Sequence, residues 1–163
     1  MDETDVRIIS YLRENARINL TRLSRETNIP ISTIFDRLKK FDGVIKKHTV
    51  IVDFSRLGFD IKVNFILKVD KQNRDRLRDF LMKDIRVNSV YKINNGYDFL
   101  VEAIFSDMKE ANEFTEKLEP FKVKSEEYYI LDEIKREAFM SDPPMLDLLF
   151  IKPGKCLSGI QTI

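Results

Sequence analysis

Among the polar residues of one short stretch, ISTIFDRLKKFDGVIKK, between Ile31 and Lys47, seven could meet a polyanion. They are Ser32, Thr33, Asp36, Arg37 and Lys40, followed by Lys46 and Lys47. Offsets of one, three and four place the first five on one side of a helix. Hydroxyls and a guanidinium can exchange hydrogen bonds with base edges, and ammonium groups attract phosphate oxygens. Asp36 opposes a polyanion unless it pairs with Lys40 or Arg37, or accepts from a cytosine amino group. The competing reading of the same residues is the solvated face of a small helical bundle.

Other chemistries have little to work with. The chain has one histidine, His48, and one cysteine, Cys156, too few for a zinc site of the usual four protein ligands. No Walker-type glycine loop and no G-x-S-x-G elbow occurs, so no catalytic residue, metal or cofactor is expected. A single cysteine excludes an internal disulfide and points to a reducing cytoplasm. The acidic start MDETDVR is unlike a signal peptide, and no apolar run reaches the ~20 residues that span a bilayer. The net charge of +1 hides an uneven distribution. Basic residues outnumber acidic ones nine to four between positions 13 and 47, while residues 55–163 are almost balanced. The excess surrounds the quoted stretch, as a nucleic-acid footprint would.

Three helices must position these residues. Residues 4–14 carry Val6, Ile8, Ile9 and Leu12 at helical spacing, with Thr4 as N-cap and Asp5 in the first turn. A second helix begins after Asn19, turns Leu20 and Leu23 inward and stops at Asn28. Ile29 and Pro30 connect it to a third helix over 31–42. That helix would bury Ile31, Ile34, Leu38 and Phe41, with Phe35 beside them, and would stop at Gly43. Two helices joined by about three residues fit a helix-turn-helix. The following GVIKKHTVIVDF alternates Val50 and Val52 with Thr49, Ile51 and Asp53, which predicts a β-segment forming a wing.

From Ile61 the period changes to two. Ile61, Val63, Phe65, Leu67 and Val69 share one face of a strand. A helix follows with the stripe Leu77, Phe80, Leu81 and Ile85, then a strand VNSVYKI, the turn NNG and a strand YDFLVEAIF that is apolar on both faces and therefore central. Asp107 caps a helix turning Met108, Ala111, Phe114 or Thr115, and Leu118 inward. Pro120 ends it, and KVKSEEYYILD closes as a strand. The order β-α-β-β-α-β predicts a ferredoxin-like sandwich, helices on one face of an antiparallel sheet. The other face would carry Ile66, Leu100, Ile104 and Ile130, which argues for a second copy of the chain and a symmetric dimer. The fold class is thus α+β: a winged helix-turn-helix over 1–54, a linker over 55–60, a βαββαβ domain over 61–138 and a tail over 139–163.

Two patterns together resemble the Lrp/AsnC, or feast/famine, family of transcriptional regulators, over roughly residues 3–138. One is the opening DETDVRIISYLRENARI with the helix-turn-helix and Gly43-Val44-Ile45; the other is NGYDFLVEA, similar to the family's Gly-x-x-Asp motif. The resemblance implies dimers or octamers built through the C-terminal domain, and double-stranded DNA as partner. It implies DNA reading by Ser32, Thr33, Asp36, Arg37 and Lys40. It also implies an amino-acid effector near Asn95, Gly96, Tyr97 and Asp98. This chain departs from the family in two places. About two residues are missing between Phe41 and Gly-Val-Ile, and PFKVKSEEYYI replaces a Gly-Val before the last strand, bringing Glu126 and Glu127.

Two rival functions remain on the sequence alone. A sequence-tolerant architectural DNA binder would need no effector. A siroheme decarboxylase-like enzyme would need histidine over a tetrapyrrole, and the chain offers only His48, in the wing. In the tail, Ser141–Pro144 reads as a linker, MLDLLFI as a segment needing an apolar partner and Cys156 as an inert thiol.

Overall fold

A computed structural model describes residues Met1–Ser141; the expectations for MLDLLFI, for the linker beyond Ser141 and for Cys156 lie outside the described residues. The chain divides into two compact units. Among the described residues, one is Met1–Val50 together with Lys135–Ser141, and the other is Ile51–Ile134.

The first unit has three helices, α1 (Glu3–Glu14), α2 (Leu20–Thr27) and α3 (Ile31–Lys40). Helix α1 starts one turn-cap earlier than its sequence suggests. Asp2, not Thr4, is the N-cap, and Asp2 and Asp5 form a reciprocal capping box in which each carboxylate accepts the other's backbone N–H, at 3.0 and 2.9 Å. Asn19 caps α2 through the Arg22 N–H at 2.8 Å, and Asn28 ends it in the left-handed region. The helices close on Ile8, Leu23, Ile34 and Phe41, with Leu12, Leu38 and Ile45 packed around them. The segment 137–139 is held by Arg13, at the end of α1. Its guanidinium donates to the Phe139 carbonyl at 2.6 Å, to the Glu137 carbonyl at 2.9 Å and to the Glu137 carboxylate at 3.1 Å.

Two expectations fail here. Helix α3 stops at Lys40, because Gly43 takes a φ of +78° and lets the Phe41 carbonyl accept from both Val44 and Ile45. This closes the tight FDGVI and returns Ile45 to the core. The expected β-segment over 49–53 has no hydrogen-bonded ladder among the described residues. The only pairing near it is an isolated Asp42–Ile45 bridge, and Val50 and Ile51 are exposed. Alternating β-formers make a strand only beside a partner strand, and residues 49–53 pair with none among the described residues.

The second unit is the expected βαββαβ, with β1 (Ile61–Lys68), α4 (Arg74–Lys83), β2 (Val87–Lys92), β3 (Phe99–Phe105), α5 (Met108–Glu116) and β4 (Lys124–Tyr129). The antiparallel sheet runs β2-β3-β1-β4, so β3 and β1 are central, as the two-sided apolar run of β3 requires. Register pairs Phe65 with Val101 and Glu127, and Ile66 with Leu100 and Glu126. Phe65, Phe105 and Phe114 meet at tilted or edge-on angles in a core that also holds Leu77, Leu81, Ala111 and Leu118. Ile85 and Met108 do not join it. Ile85 follows the end of α4 and is 97% exposed, and Met108 sits in the first turn of α5. On the other sheet face Ile66, Leu100 and Ile130 are half-buried and Ile104 is buried.

Candidate nucleic-acid interface

The connection between α2 and α3 is built from side-chain hydroxyls. Ser24 donates to the Ile29 carbonyl and Thr27 to the Leu23 carbonyl, each at 2.6 Å, while the Ile29 N–H reaches the Thr27 oxygen at 3.3 Å. Asn28, with φ +57°, makes the sharp turn, and Pro30 sets the entry to α3 with an extended backbone. Pro30 offers no capping side chain, and the first turn of α3 has no side-chain cap. Its amide hydrogens therefore stand beside the Ser32 and Thr33 hydroxyls, an arrangement suited to anionic oxygen. Arg37, Lys39 and Lys40 occupy the last turn, where cations complement the helix dipole.

The sequence-derived positions divide into two groups. Ser32, Asp36, Lys40, Lys46 and Lys47 are exposed and Thr33 is half-buried; Lys40, Lys46 and Lys47 make no ion pair among the described residues. Arg37 behaves otherwise. Its Nη1 lies 2.5 Å from Asp2 and 2.9 Å from Asp5, so the guanidinium of α3 is inserted into the capping box of α1. Asp5 is only 7% exposed. The Asp5 backbone N–H and then the Arg37 guanidinium hold the Asp2 carboxyl below its usual range, and the two carboxylates raise Arg37 in turn. Asp36 pairs with Lys39 at 4.0 Å, not with Lys40 or Arg37. Lys39 also lies 4.2 Å over the ring of Phe35. Phe35 and Ile31, expected inside, are 50% and 44% exposed. Sequence reading missed Phe35 on this face; Lys39, outward by helical spacing, is missing only from the candidate contacts, and its offset of four from Phe35 is the signal that pairs the two.

The second candidate site is the turn before β3. Asn95 and Gly96 have φ of +61° and +86°, the requirement of a type I′ turn, and Tyr97 donates back to the Asn94 carbonyl at 3.4 Å. Asp98 is fully engaged in the fold. Its carboxylate accepts the Val69 N–H at 2.9 Å and pairs with Arg74 at 2.5 Å, while its backbone joins Leu67 and Ile93. Tyr97 donates to Glu126, which also accepts from Tyr128 at 3.0 Å. The Tyr97 hydroxyl first, then that of Tyr128, lowers the Glu126 carboxyl, and both phenols are raised. Among the described residues no group of three or more His, Cys, Asp or Glu side chains could hold a metal ion, and His48 is exposed. No helix among the described residues is long and apolar enough to cross a membrane.

Residues 1–45 match the family model of winged helix-turn-helix DNA-binding domains, and residues 62–138 match that of the Lrp/AsnC ligand binding domain. The HTH-type transcriptional regulator FL11 of Pyrococcus abyssi is 32% identical over 116 residues, which cover 70% of this chain and 77% of FL11. The chain belongs to the Lrp/AsnC family of transcriptional regulators. Another relative, the transcriptional regulator AzlB of Bacillus subtilis, is 30% identical over 120 residues, 70% of this chain and 76% of AzlB. Two solved structures share the Lrp/AsnC fold. Bacillus subtilis LrpC has a TM-score of 0.77 and 20% identity, covering 83% of this chain and 97% of its own. A Neisseria meningitidis regulator in complex with L-Met has a TM-score of 0.77 and 22% identity, covering 83% and 93%. In this Lrp/AsnC member the helix-turn-helix match falls within the first unit, and the ligand-binding match covers the βαββαβ elements of the second and runs on to residue 138.

Proposed function

We propose that this regulator reads double-stranded DNA as a homodimer or octamer, each chain laying the exposed face of α3 in the major groove. Ser32, Thr33 and Asp36 face base edges at the N-terminal end, and Lys40, Lys46 and Lys47 reach flanking phosphates. The observation that carries this reading is the pairing of an uncapped, hydroxyl-bearing start of α3 with exposed lysines at and beyond its end. The half-buried apolar face of the sheet supports association of two copies, which would present α3 twice at a fixed spacing.

An amino-acid effector is proposed at the turn Asn95–Tyr97, in keeping with the L-Met complex of the Neisseria relative. Asp98 is left out of that contact set because Val69 and Arg74 already occupy its carboxylate. Glu126 beside Tyr97 favours a ligand that presents its ammonium group, and disfavours one that presents only a carboxylate.

Selection of sites from random duplexes, followed by footprinting, tests the reading. A protected pseudo-palindrome with half-sites one helical turn apart, about 34–36 Å, supports it. Uniform protection of any duplex would indicate a sequence-tolerant architectural binder instead. Lys46→Ala is expected to weaken binding to all duplexes alike and to lower the salt slope by about 0.9.

A further inference from the structure

The exposed face of α3 is rotated from the one its polar pattern suggests. At about 100° per residue, Ile34, Leu38 and Phe41 define the buried direction, Ser32, Asp36, Lys39 and Lys40 lie on the far side, and Phe35 lies on the flank next to Lys39. Arg37 falls at the margin, beside the core direction, with its side chain 28% exposed. It does not project freely from there. One nitrogen bridges Asp2 and Asp5, residues 35 and 32 positions away in the chain.

Those two carboxylates are themselves bound to the first turn of α1 by the capping box, so neither can swing out to follow Arg37. The guanidinium meets a rigid acceptor pair whose side chains are fixed by backbone amides. Asp5 is almost fully covered, and a carboxylate so placed is costly without its cation. Releasing Arg37 to a base edge would leave Asp5 covered and uncompensated, beside a polyanion that repels it. The contact therefore favours retention over reaching.

We infer that Arg37 is a positioning residue: by bridging Asp2 and Asp5 it fixes the rotation of α3 against α1 and so determines which residues face the groove, without touching DNA itself. The inference rests on α3 being the DNA-contacting helix. It takes Arg37 out of the set of base readers and centres that set on Ser32, Asp36 and Lys39, with Phe35 at its edge. It also assigns the acidic start of the chain a part in DNA recognition. Asp2 and Asp5 act at a distance from the DNA and in the opposite sense to their charge, since neutralising an acid near DNA would ordinarily strengthen binding.

That sign difference makes the test. The full chain is compared as wild type, Arg37→Ala, Asp5→Asn, the double variant and Asp2→Asn, binding a selected site and a random duplex across a salt series. Asparagine keeps the capping oxygen, so Asp5→Asn removes the charge and spares the helix start. Positioning predicts that Arg37→Ala and Asp5→Asn each lower site-specific affinity on the order of tenfold, that the double variant is no worse than the weaker single, and that random-duplex affinity changes less than about twofold. The salt slope stays at the wild-type value, a readout that a general loss of stability would not produce together with a changed specificity ratio. The inference is overturned if Asp5→Asn leaves site affinity unchanged or raises it while Arg37→Ala lowers it and reduces the slope by about 0.9, the mark of a lost phosphate contact. Where Arg37→Ala fails to fold, Asp2→Asn decides: a smaller fall at the selected site supports positioning, and an unchanged or higher affinity overturns it. Lys46→Ala runs alongside. If it has no effect and the wild type protects no site, the proposed function itself falls and this inference with it; if it weakens binding while Asp5→Asn does not, only the inference falls.

Discussion

The two units stabilise themselves differently. The βαββαβ unit buries thirteen core side chains between one sheet face and two helices, while the helical unit closes around four. A core of four leaves less margin, and the helical unit adds polar ties that reach across its sequence. Arg37 holds the start of α1, and Arg13 holds residues 137–139. In the βαββαβ unit the well-covered pair Asp84–Arg86 spans only two residues and orders a local turn after α4. The βαββαβ unit has long-range pairs as well, Lys62–Glu133 and Arg74–Asp98, but thirteen buried side chains already hold it, whereas the Arg37 pair lies on the helix proposed to contact DNA. Recognition and stability are consequently harder to separate in the first unit than in the second.

Four measurements can break or sharpen that contrast. The largest effect is expected from Phe65→Ala, which opens the ring cluster with Phe105 and Phe114 and should cost about 3–5 kcal/mol in denaturant unfolding. The helical unit should unfold at its wild-type midpoint; a joint shift of both transitions would show the units to be one cooperative body. Next comes Ile34→Ala, expected to cost about 2–5 kcal/mol and to remove a larger share of a smaller unit's stability. Its neighbour Phe35→Ala should stay within about 0.5 kcal/mol, and a cost like that of Ile34 would show Phe35 to be covered.

A smaller loss, about 1 kcal/mol, is expected from Gly96→Ala. No atom lies within 4 Å of an added Cβ, so the cost is that of a φ of +86° alone. Thermal unfolding should register it in the second unit and leave the first unchanged. Last is the response to acid. Folding depresses the Asp2 and Glu126 carboxyls, so each contributes stability that is complete above its unfolded value and is lost as pH falls through the folded one. Both effects belong below about pH 4. An acid titration of Asp2→Asn beside Tyr97→Phe assigns them: the first should flatten the helical unit's response only, the second that of the βαββαβ unit only. Crossed effects would contradict the separation.

Much of the second unit was legible in residue order. Alternation over Ile61–Val69, the two-sided run of β3, the Asp107 cap and the Asn95-Gly96 turn each encode a local geometry that burial then rewards. The errors fell at element edges. Ile85 and Met108 continue a helical stripe by spacing, yet one stands past the last turn and the other at the first, where side chains project away from the sheet. The expected β-segment after the helix-turn-helix failed for a different reason. Residues 49–53 have strand propensity, but a strand is a relation to a neighbour, and propensity carries no address for one.

The sequence by itself determined the periods, the caps at Asn19 and Asp107, the left-handed positions at Asn28 and Gly96, and through their order the helix-turn-helix and the βαββαβ sandwich. These are local matters, decided within a few residues by hydrogen-bond geometry and steric limits. Only the tertiary structure decided which flank of α3 is free. A helix of 3.6 residues per turn leaves the margins of its apolar stripe open, and Arg37 and Phe35 sit on opposite margins. The choice was made by Asp2 and Asp5, over thirty residues earlier in the chain, because their capping box brings two carboxylates to the side where Arg37 can meet them.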